Sequence, residues 1–499
     1  MSASAQVSSA GPLQARVLDR SLIRHQLFVG GRWQDARSGA TFDVDDPATG
    51  TMLGCVAAGG AADAHLAIEA ASAVWPVWRS MTPQARAAIL RRWAELMRTA
   101  REDLACIVTL EQGKPLDEAR GEIEYAASFL DWFAEEGRRA YGDTLPSHIP
   151  GCRLMTTRQP VGVVAAITPW NFPSAMITRK AGAALAAGCP VIVKPADETP
   201  FSALALAALA QRAGVPDGAF SVVTGDARQI CAELTASTIV RAVSFTGSTE
   251  VGRMMLRQCA DTIKRVSLEL GGHAPFIAFA DCDPYEAAEM AVAAKFQTSG
   301  QDCLAANRIY VQRTIYEVFV KRFAALAAEL RVGGGLDPGV QIGPLISPRA
   351  VARCERQVAD ALERGAQLVL GGQRHPAGRL FFEPTVLCDV TDEMLISREE
   401  TFGPVAAITH FDTELEVVER ANATQFGLAA YVATRDVARA LRVSEQLEFG
   451  MVAINTDRFT GAPIPFGGVK QSGLGREGSR HGLDEFSDIK YLCVDMETD

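Results

Sequence analysis

The stretch VGVVAAITPWNFPSAMITRKAGAALAAGCPVIVKPADETP, Val161 to Pro200, decides how the rest of the chain is read. It opens on an apolar run at 161–167, breaks at Pro169 and Pro173, and resumes as an alanine-rich helical pattern over 175–187. Gly188 and Pro190 stop that pattern, and a second apolar run follows at 191–194. Short apolar runs bounded by breakers read as buried strands, and strand, helix and strand at this spacing read as one parallel βαβ unit. The alternation continues with strand-like runs at 220–223 and 242–245 and helical runs at 202–213, 227–236 and 249–259. The fold class is therefore α/β, with a parallel Rossmann-type sheet covered by helices on both faces. Ligands in such sheets sit beyond the carboxyl ends of the strands.

Lys194 stands at one such end and Gly247, in SFTGSTEVG, at another. A glycine turn leading into a helix offers backbone N–H groups to a phosphate. No G-x-G-x-x-G fingerprint occurs at these junctions. Asp197 follows three residues after Lys194, and an acid beside an adenosine ribose accepts bonds from its hydroxyls and repels a 2′-phosphate. NAD is thus expected over NADP.

Towards the N-terminus, 26–32 reads as a short strand with a glycine turn. Helical patterns follow at 61–74, 83–100, 101–112 and 116–139. The carboxylates Glu118, Glu122 and Glu124 in the last of these read as a solvated face. After Gly272 a second alternating region begins: strand 275–280, helix 284–296, strand 308–312, helix 315–330, a Gly- and Pro-rich loop at 333–348, helix 350–364, and strands 367–370 and 452–455. A glycine-rich loop then leads to a terminal strand at 489–494, of a kind that pairs with another subunit's sheet.

A chain of 499 residues exceeds the roughly 250–300 at which one core stops growing, so at least two domains are expected. The net charge of −10 argues against nucleic acid or an anionic membrane as partner and leaves small molecules. The cysteines form no C-x-x-C pair and do not cluster with histidines, which disfavours a metal site or a disulfide framework and suits a reducing compartment. No apolar run approaches the ~20 residues of a membrane span. A cytoplasmic protein is expected, with residues 1–20 as a disordered tail.

Chemistry concentrates in KFQTSGQDCLAAN, residues 295–307, where Cys303 sits among small and polar residues after a helix-like run. VSLELGG, 266–272, places Glu269 in an apolar strand-like run, and ITPWNFP, 167–173, places Asn171 between prolines. A thiolate nucleophile needs a base or a favourable field, which Glu269 can supply. An attacked carbonyl needs donors for its oxyanion, and the Asn171 amide and the Cys303 N–H qualify. A cysteine hydrolase is the competing enzyme, but no histidine is singled out as a partner for Cys303.

Taken together, PWNFP, KPADETP, SFTGSTEVG, LELGG, GQDC, EETFGPV and PFGGVKQSG resemble the aldehyde dehydrogenase superfamily in order and spacing, across nearly the whole chain. The resemblance is closest to its succinate-semialdehyde dehydrogenase branch. It implies a Rossmann-type cofactor domain at 21–139 and 160–271, and a catalytic domain at 272–455. It further implies oligomerisation strands at 140–159 and 485–499 and a closing loop at 456–484. It also implies NAD(P)-dependent oxidation of an aldehyde through a thioester on Cys303, with hydrolysis by water that Glu269 activates, in a homodimer or homotetramer without a metal. That role for Glu269 speaks against release to coenzyme A, and the presence of all three catalytic residues speaks against a purely structural protein. By the same resemblance, Lys180 lies near the active site. Thr168, Trp170, Lys194, Asp197, Gly247, Ser248 and Leu270 line the cofactor, and Glu400 and Phe402 position its nicotinamide end.

The branch holds its substrate's distal carboxylate with two arginines and a loop serine. Arg179 matches the first arginine, Gln297 replaces the second, and Thr460 stands in the serine region, with Arg458 able to restore a charge. A neutral donor gives bonds roughly half as strong as a charged one, so glutarate semialdehyde or a hydroxylated or sulfonated aldehyde stands beside succinate semialdehyde as a substrate. Ala305 replaces the branch's second cysteine, so no redox switch of that type is expected.

Overall fold

Two sheets organise the chain in the computed structural model, which describes residues 12–496. The first has eight strands in the order Gly473–Leu474, Arg265–Glu269, Val240–Thr246, Val163–Ile167, Val191–Lys194, Phe220–Val222, Leu27–Val29 and Arg32–Gln34. The five from Arg265–Glu269 to Phe220–Val222 run parallel, and the outer ones are antiparallel. Every residue of Val163–Ile167 and Val191–Lys194 is buried. Helices cover both faces, and this is why the strands read as unbroken apolar runs rather than alternating ones.

From Val163–Ile167 the chain steps outward through Val191–Lys194 to Phe220–Val222, then returns to the opposite side as Val240–Thr246. That reversal opens a crevice beyond the carboxyl ends of Val163–Ile167 and Val240–Thr246. Residues from Thr168 and from Gly247 onward stand at its rim.

The second sheet has seven strands in the order Gln367–Leu370, Thr385–Cys388, Val405–Phe411, Ala306–Gln312, Ala274–Ala278, Ala429–Ala433 and Met451–Ile454. All but the first pair are parallel. Cys303 lies just ahead of Ala306–Gln312, whereas Glu269 ends a strand of the first sheet. The two segments therefore meet at the junction of the sheets. A small antiparallel sheet joins Ser487–Asp495, Cys152–Pro160 and Thr144–Leu145.

Three expectations are corrected. Residues 1–11 lie outside the described residues, but 12–20 are not a disordered tail. Pro12–Arg16 is a helix, Leu13 and Val17 join the main core, and the Leu18 and Asp19 N–H groups donate to Asp103 at 2.7 and 2.9 Å. The helix expected at 61–74 continues to Ser80 through Pro76, because the fully buried Trp78 anchors its last turn and offsets the bond that proline removes. Finally, Glu122 and Glu118 are not solvated. Glu122 is 3% exposed and accepts from the Ser174 and Ala175 N–H groups at 2.8 and 3.2 Å, at the start of helix Ala175–Ala187.

Candidate active site

Helix Pro284–Phe296 gives way to a turn in which Thr298, Ser299 and Gly300 are all left-handed, with φ of 49°, 57° and 71°. A left-handed conformation costs a residue other than glycine about 1–2 kcal/mol, so the turn must be held from outside. Glu118 accepts from the Thr298 N–H at 2.9 Å and its hydroxyl at 3.1 Å, and Ser299 Oγ donates to the Gly343 carbonyl at 3.1 Å. Gln301 donates to the Pro344 carbonyl at 3.2 Å and accepts from the Ile346 N–H at 2.9 Å. Burial pushes the Glu118 carboxyl up to about 7. The next residues, Asp302 and Cys303, are thereby fixed in place.

Gly272 brings the first sheet to this turn. A Cβ there would stand 2.1 Å from the Cys303 carbonyl oxygen, so only glycine allows the backbone after Glu269 to touch the nucleophile's backbone. Glu269 is 2% exposed, and neither of its oxygens has a hydrogen-bond partner among the described residues. Burial and then the like charge of Glu477 push its carboxyl well above the ordinary range, against the pull of Arg179, Lys180 and Arg476. Burial and then the Asp302 carboxylate push the Cys303 thiol up, with Arg179 opposing.

Asn171 is buried and donates through Nδ2 to the Gln301 carbonyl at 3.1 Å, which leaves its second N–H free. Its own carbonyl accepts from Lys114 Nζ at 2.6 Å. Lys114 in turn pairs with Glu122 at 2.7 Å, both side chains being fully buried. Lys180 is ion-paired with Glu477, and Arg179 Nε lies 2.5 Å from the same carboxylate. Arg179 Nη1 is buried without a partner among the described residues.

The crevice fits a dinucleotide. The Thr168 hydroxyl is buried and has no partner among the described residues, Ser248 caps helix Thr249–Ala260 through the Val251 N–H, and Gly247 ahead of it has no side chain, its N–H donating to the Glu269 carbonyl at 3.0 Å. Lys194 Nζ reaches Asp197 at 2.6 Å, with Asp197 half exposed to solvent. The Trp170 and Phe402 rings meet edge to face at 5.5 Å, and Leu270 is buried below the crevice. Glu400 accepts from the Gly272 N–H at 2.9 Å, and burial pushes its carboxyl up to about 7. An orphaned hydroxyl, an open helix N-terminus and buried carboxylates at the inner end are the donor and acceptor set a nicotinamide dinucleotide requires.

At the outer end Gln297, Arg458 and Thr460 are exposed. Burial pushes the Tyr125 hydroxyl up and the positive charge of Arg179 pulls it back, so the helix Leu116–Glu136 sets Tyr125 near that guanidinium. Phe459 packs edge to face on Tyr431 at 5.3 Å, and the Tyr431 hydroxyl donates to the Leu304 carbonyl at 2.9 Å. Sequence reasoning missed Tyr125, Glu477, Lys114 and Glu122. Glu477 lies in the glycine-rich loop that follows PFGGVKQSG, but nothing in its spacing announces a partner 297 positions away.

The chain matches the aldehyde dehydrogenase family over residues 33–492. It is 55% identical to a glutarate-semialdehyde dehydrogenase of Pseudomonas aeruginosa over 95% of this chain and 99% of that protein. To an NADP(+) succinate-semialdehyde dehydrogenase of Escherichia coli it is 54% identical, over 96% and 99%. Among solved structures, a succinate-semialdehyde dehydrogenase from Burkholderia pseudomallei superposes with a TM-score of 0.95 at 56% identity, over 96% and 99% of the two chains.

Proposed function

The chain belongs to the aldehyde dehydrogenase family, and we propose that it oxidises an acid-bearing aldehyde, succinate semialdehyde foremost, to the carboxylate with NAD(P). The observation that supports this reading is the close approach of Gly272 to the Cys303 backbone, which brings the strand ending in the buried Glu269, without a hydrogen-bond partner among the described residues, against the rigidly held loop of Cys303.

In this mechanism the Cys303 thiol gives its proton to Glu269, and its sulfur bonds the aldehyde carbon. The carbonyl electron pair moves to oxygen, where the free N–H of Asn171 and the Cys303 backbone N–H receive it. A bound nicotinamide dinucleotide supplies the chemistry no side chain can, by accepting the hydride from that carbon. Glu269 sheds its first proton to solvent and takes a second from the water that attacks the Cys303 thioester. The acid leaves, and Cys303 recovers a proton. Lys194 and Asp197 would hold the adenosine ribose, Thr168, Trp170, Gly247 and Ser248 would line its crevice, and Leu270, Glu400 and Phe402 would hold the nicotinamide end. Lys180 anchors Glu477 beside the catalytic carboxylate.

For the substrate's distal acid, the buried free Nη1 of Arg179 is the charged donor. Thr460, Gln297 and Arg458 complete that end from the closing loop and the helix terminus. We assign the cofactor domain to 21–139 and 160–271, the catalytic domain to 272–455 and the closing loop to 456–484. The strands at 140–159 and 485–499 expose Ile489, Tyr491, Leu492 and Val494, which supports a homodimer or homotetramer. The site of action is the cytoplasm.

The test is initial rate against concentration for succinate semialdehyde, glutarate semialdehyde and an uncharged aldehyde of similar length, in wild type and Arg179→Ala. The variant should raise KM for both acids about 100-fold, the worth of a charged hydrogen bond of about 1.5–3 kcal/mol, and leave the uncharged aldehyde near wild type. An equal loss for all three removes Arg179 from substrate binding.

A further inference from the structure

Helix Arg101–Gln112 carries, one residue before its end, a carboxylate that the mechanism does not use. Glu111 is fully buried, and both of its oxygens are spent on backbone: Oε2 accepts from the Phe201 N–H and Oε1 from the Ser202 N–H, each at 2.8 Å. These N–H groups open helix Pro200–Ala213. The first N–H groups of a helix have no partner within it, and Thr199, the residue ahead of this one, gives no side-chain bond to them. Glu111 is therefore the cap that the local sequence lacks, supplied from 90 positions away. A carboxylate at the positive end of a helix is a strong acceptor.

What Glu111 fixes is the far end of a short loop. Strand Val191–Lys194 leads into it, and only residues 195–199 separate that strand from the helix. The near end is tied where the Thr168 N–H donates to the Lys194 carbonyl at 3.1 Å. Lys194 and Asp197, the two residues placed against the adenosine ribose, belong to this segment. Lys194 Nζ donates to the Pro195 carbonyl at 2.7 Å and to Asp197 at 2.6 Å. With strand and helix both anchored, the five residues between them have little freedom to move Asp197. Without Glu111 the loop loses one of its two anchors.

The turn that follows Glu111 meets the reacting end of the site. Lys114 donates to the Asn171 carbonyl, and Glu118 accepts from Thr298 ahead of the nucleophile. The turn is itself wedged in place. A Cβ at Gly335 would stand 2.4 Å from the Lys114 carbonyl oxygen, and one at Gly343 would stand 2.1 Å from that of Gly113. Residues 111–118 thus form one tightly held segment that touches the adenosine loop, the oxyanion donor and the nucleophile's turn.

We propose that Glu111 is a positioning residue for the cofactor: by capping helix Pro200–Ala213 it sets the loop 195–199, so that Lys194 and Asp197 meet the adenosine ribose at a fixed distance from Cys303. This rests on the reading of the crevice as a nicotinamide dinucleotide site.

The experiment measures Kd for NAD by calorimetry on the full-length protein, as wild type and as Glu111→Gln. Burial pushes the Glu111 carboxyl up to about 8, against the pull of its two bonds, so the titrations are made at pH 9, where it is ionised. Glutamine keeps the shape and one acceptor oxygen but turns an NH2 group towards the other backbone N–H. The variant should raise Kd for NAD about tenfold, within what an unsatisfied buried donor costs. AMP, which carries only the adenosine half, should weaken by the same factor. At saturating NAD, kcat and the KM for succinate semialdehyde should stay within about twofold of wild type, a split that a general loosening of the fold would not give. In an Asp197→Ala background, Glu111→Gln should cost markedly less, because its effect passes through the loop. Glu111→Asp, which keeps the charge but cannot span both N–H groups, serves as the second variant and should raise Kd about threefold or more. An unchanged Kd in either folded variant overturns the proposal, as do fully additive losses with Asp197→Ala or a fall in kcat with Kd intact. If the wild type binds neither NAD nor NADP, the dinucleotide reading of the crevice fails first and takes this proposal with it.

Discussion

Replacing Lys114 by Met tests whether a buried ion pair far from the reacting atoms holds the oxyanion donor in place. Lys114 and Glu122 are 2.7 Å apart with both side chains fully buried, and Lys114 also donates to the Asn171 carbonyl at 2.6 Å. Removing one partner of a buried pair strands the other charge and costs about 3–5 kcal/mol. At about 2 °C per kcal/mol for a chain of this size, the melting midpoint should fall by about 6–10 °C. Asn171 also loses its backbone anchor, and a displaced donor should lower kcat by about 100-fold. Adding Glu122→Gln removes the stranded charge, yet the amide still accepts from the Ser174 and Ala175 N–H groups. The double variant should therefore regain most of the lost midpoint while kcat stays low. Thermal melts followed by circular dichroism, with steady-state rates on succinate semialdehyde, separate the two effects. A midpoint within a degree of wild type for Lys114→Met would refute the buried-charge argument, and recovery of kcat together with the midpoint would refute the anchoring role.

Asp197→Ser removes the carboxylate that we propose faces the adenosine ribose and releases Lys194, now held at 2.6 Å. The ratio of kcat/KM for NADP to that for NAD should rise about tenfold, the worth of about 1.4 kcal/mol of like-charge repulsion near a surface, and an unchanged ratio would clear Asp197 of cofactor choice. The raised Glu269 carboxyl gives a signed pH dependence. Only its ionised form accepts a proton from water, so kcat should climb as pH rises beyond the ordinary carboxylate range. That climb should vanish in Glu269→Gln, and a pH profile identical in the two enzymes would remove Glu269 as the base.

The parallel sheet and the candidate catalytic set were legible in the sequence because each depends on local signals. Strands buried on both faces must be apolar throughout, so Val163–Ile167 and Val191–Lys194 announce themselves, as do the glycines and prolines between them. Cys303, Glu269 and Asn171 stand in short signatures, and the backbone contact at Gly272 brings two of those signatures together. The carboxylates of helix Leu116–Glu136 were misread because their burial depends on what packs against them from far along the chain. Glu122 meets an N–H group 52 positions away, and Glu118 meets Thr298 across 180. A helical face that serves as acceptor for another element's N–H groups is indistinguishable, by periodicity alone, from one facing water. Tyr125 escaped notice for the same reason, since what brings it into the site is the charge of Arg179, far along the chain.

On the proposed reading of the site, Glu477 explains how Arg179 can serve a substrate at all. An arginine buried with a carboxylate is ordinarily spent on it, and pulling the pair apart would leave Glu477 as an uncompensated buried charge. Here Lys180 pairs with the other oxygen of Glu477, and the Ser244 hydroxyl adds a longer bond to that same oxygen at 3.4 Å. These two hold Glu477 satisfied when Arg179 shares its charge with an incoming carboxylate through the free Nη1. They also keep a like charge fixed beside Glu269, which raises its carboxyl's affinity for the protons it takes first from the Cys303 thiol and then from water. On this reading Lys180 works through Glu477, and Lys180→Met should weaken acid-aldehyde binding and lower the Arg179 contribution in a double-mutant cycle. Additive losses for Lys180→Met and Arg179→Ala would show that the two cations act apart.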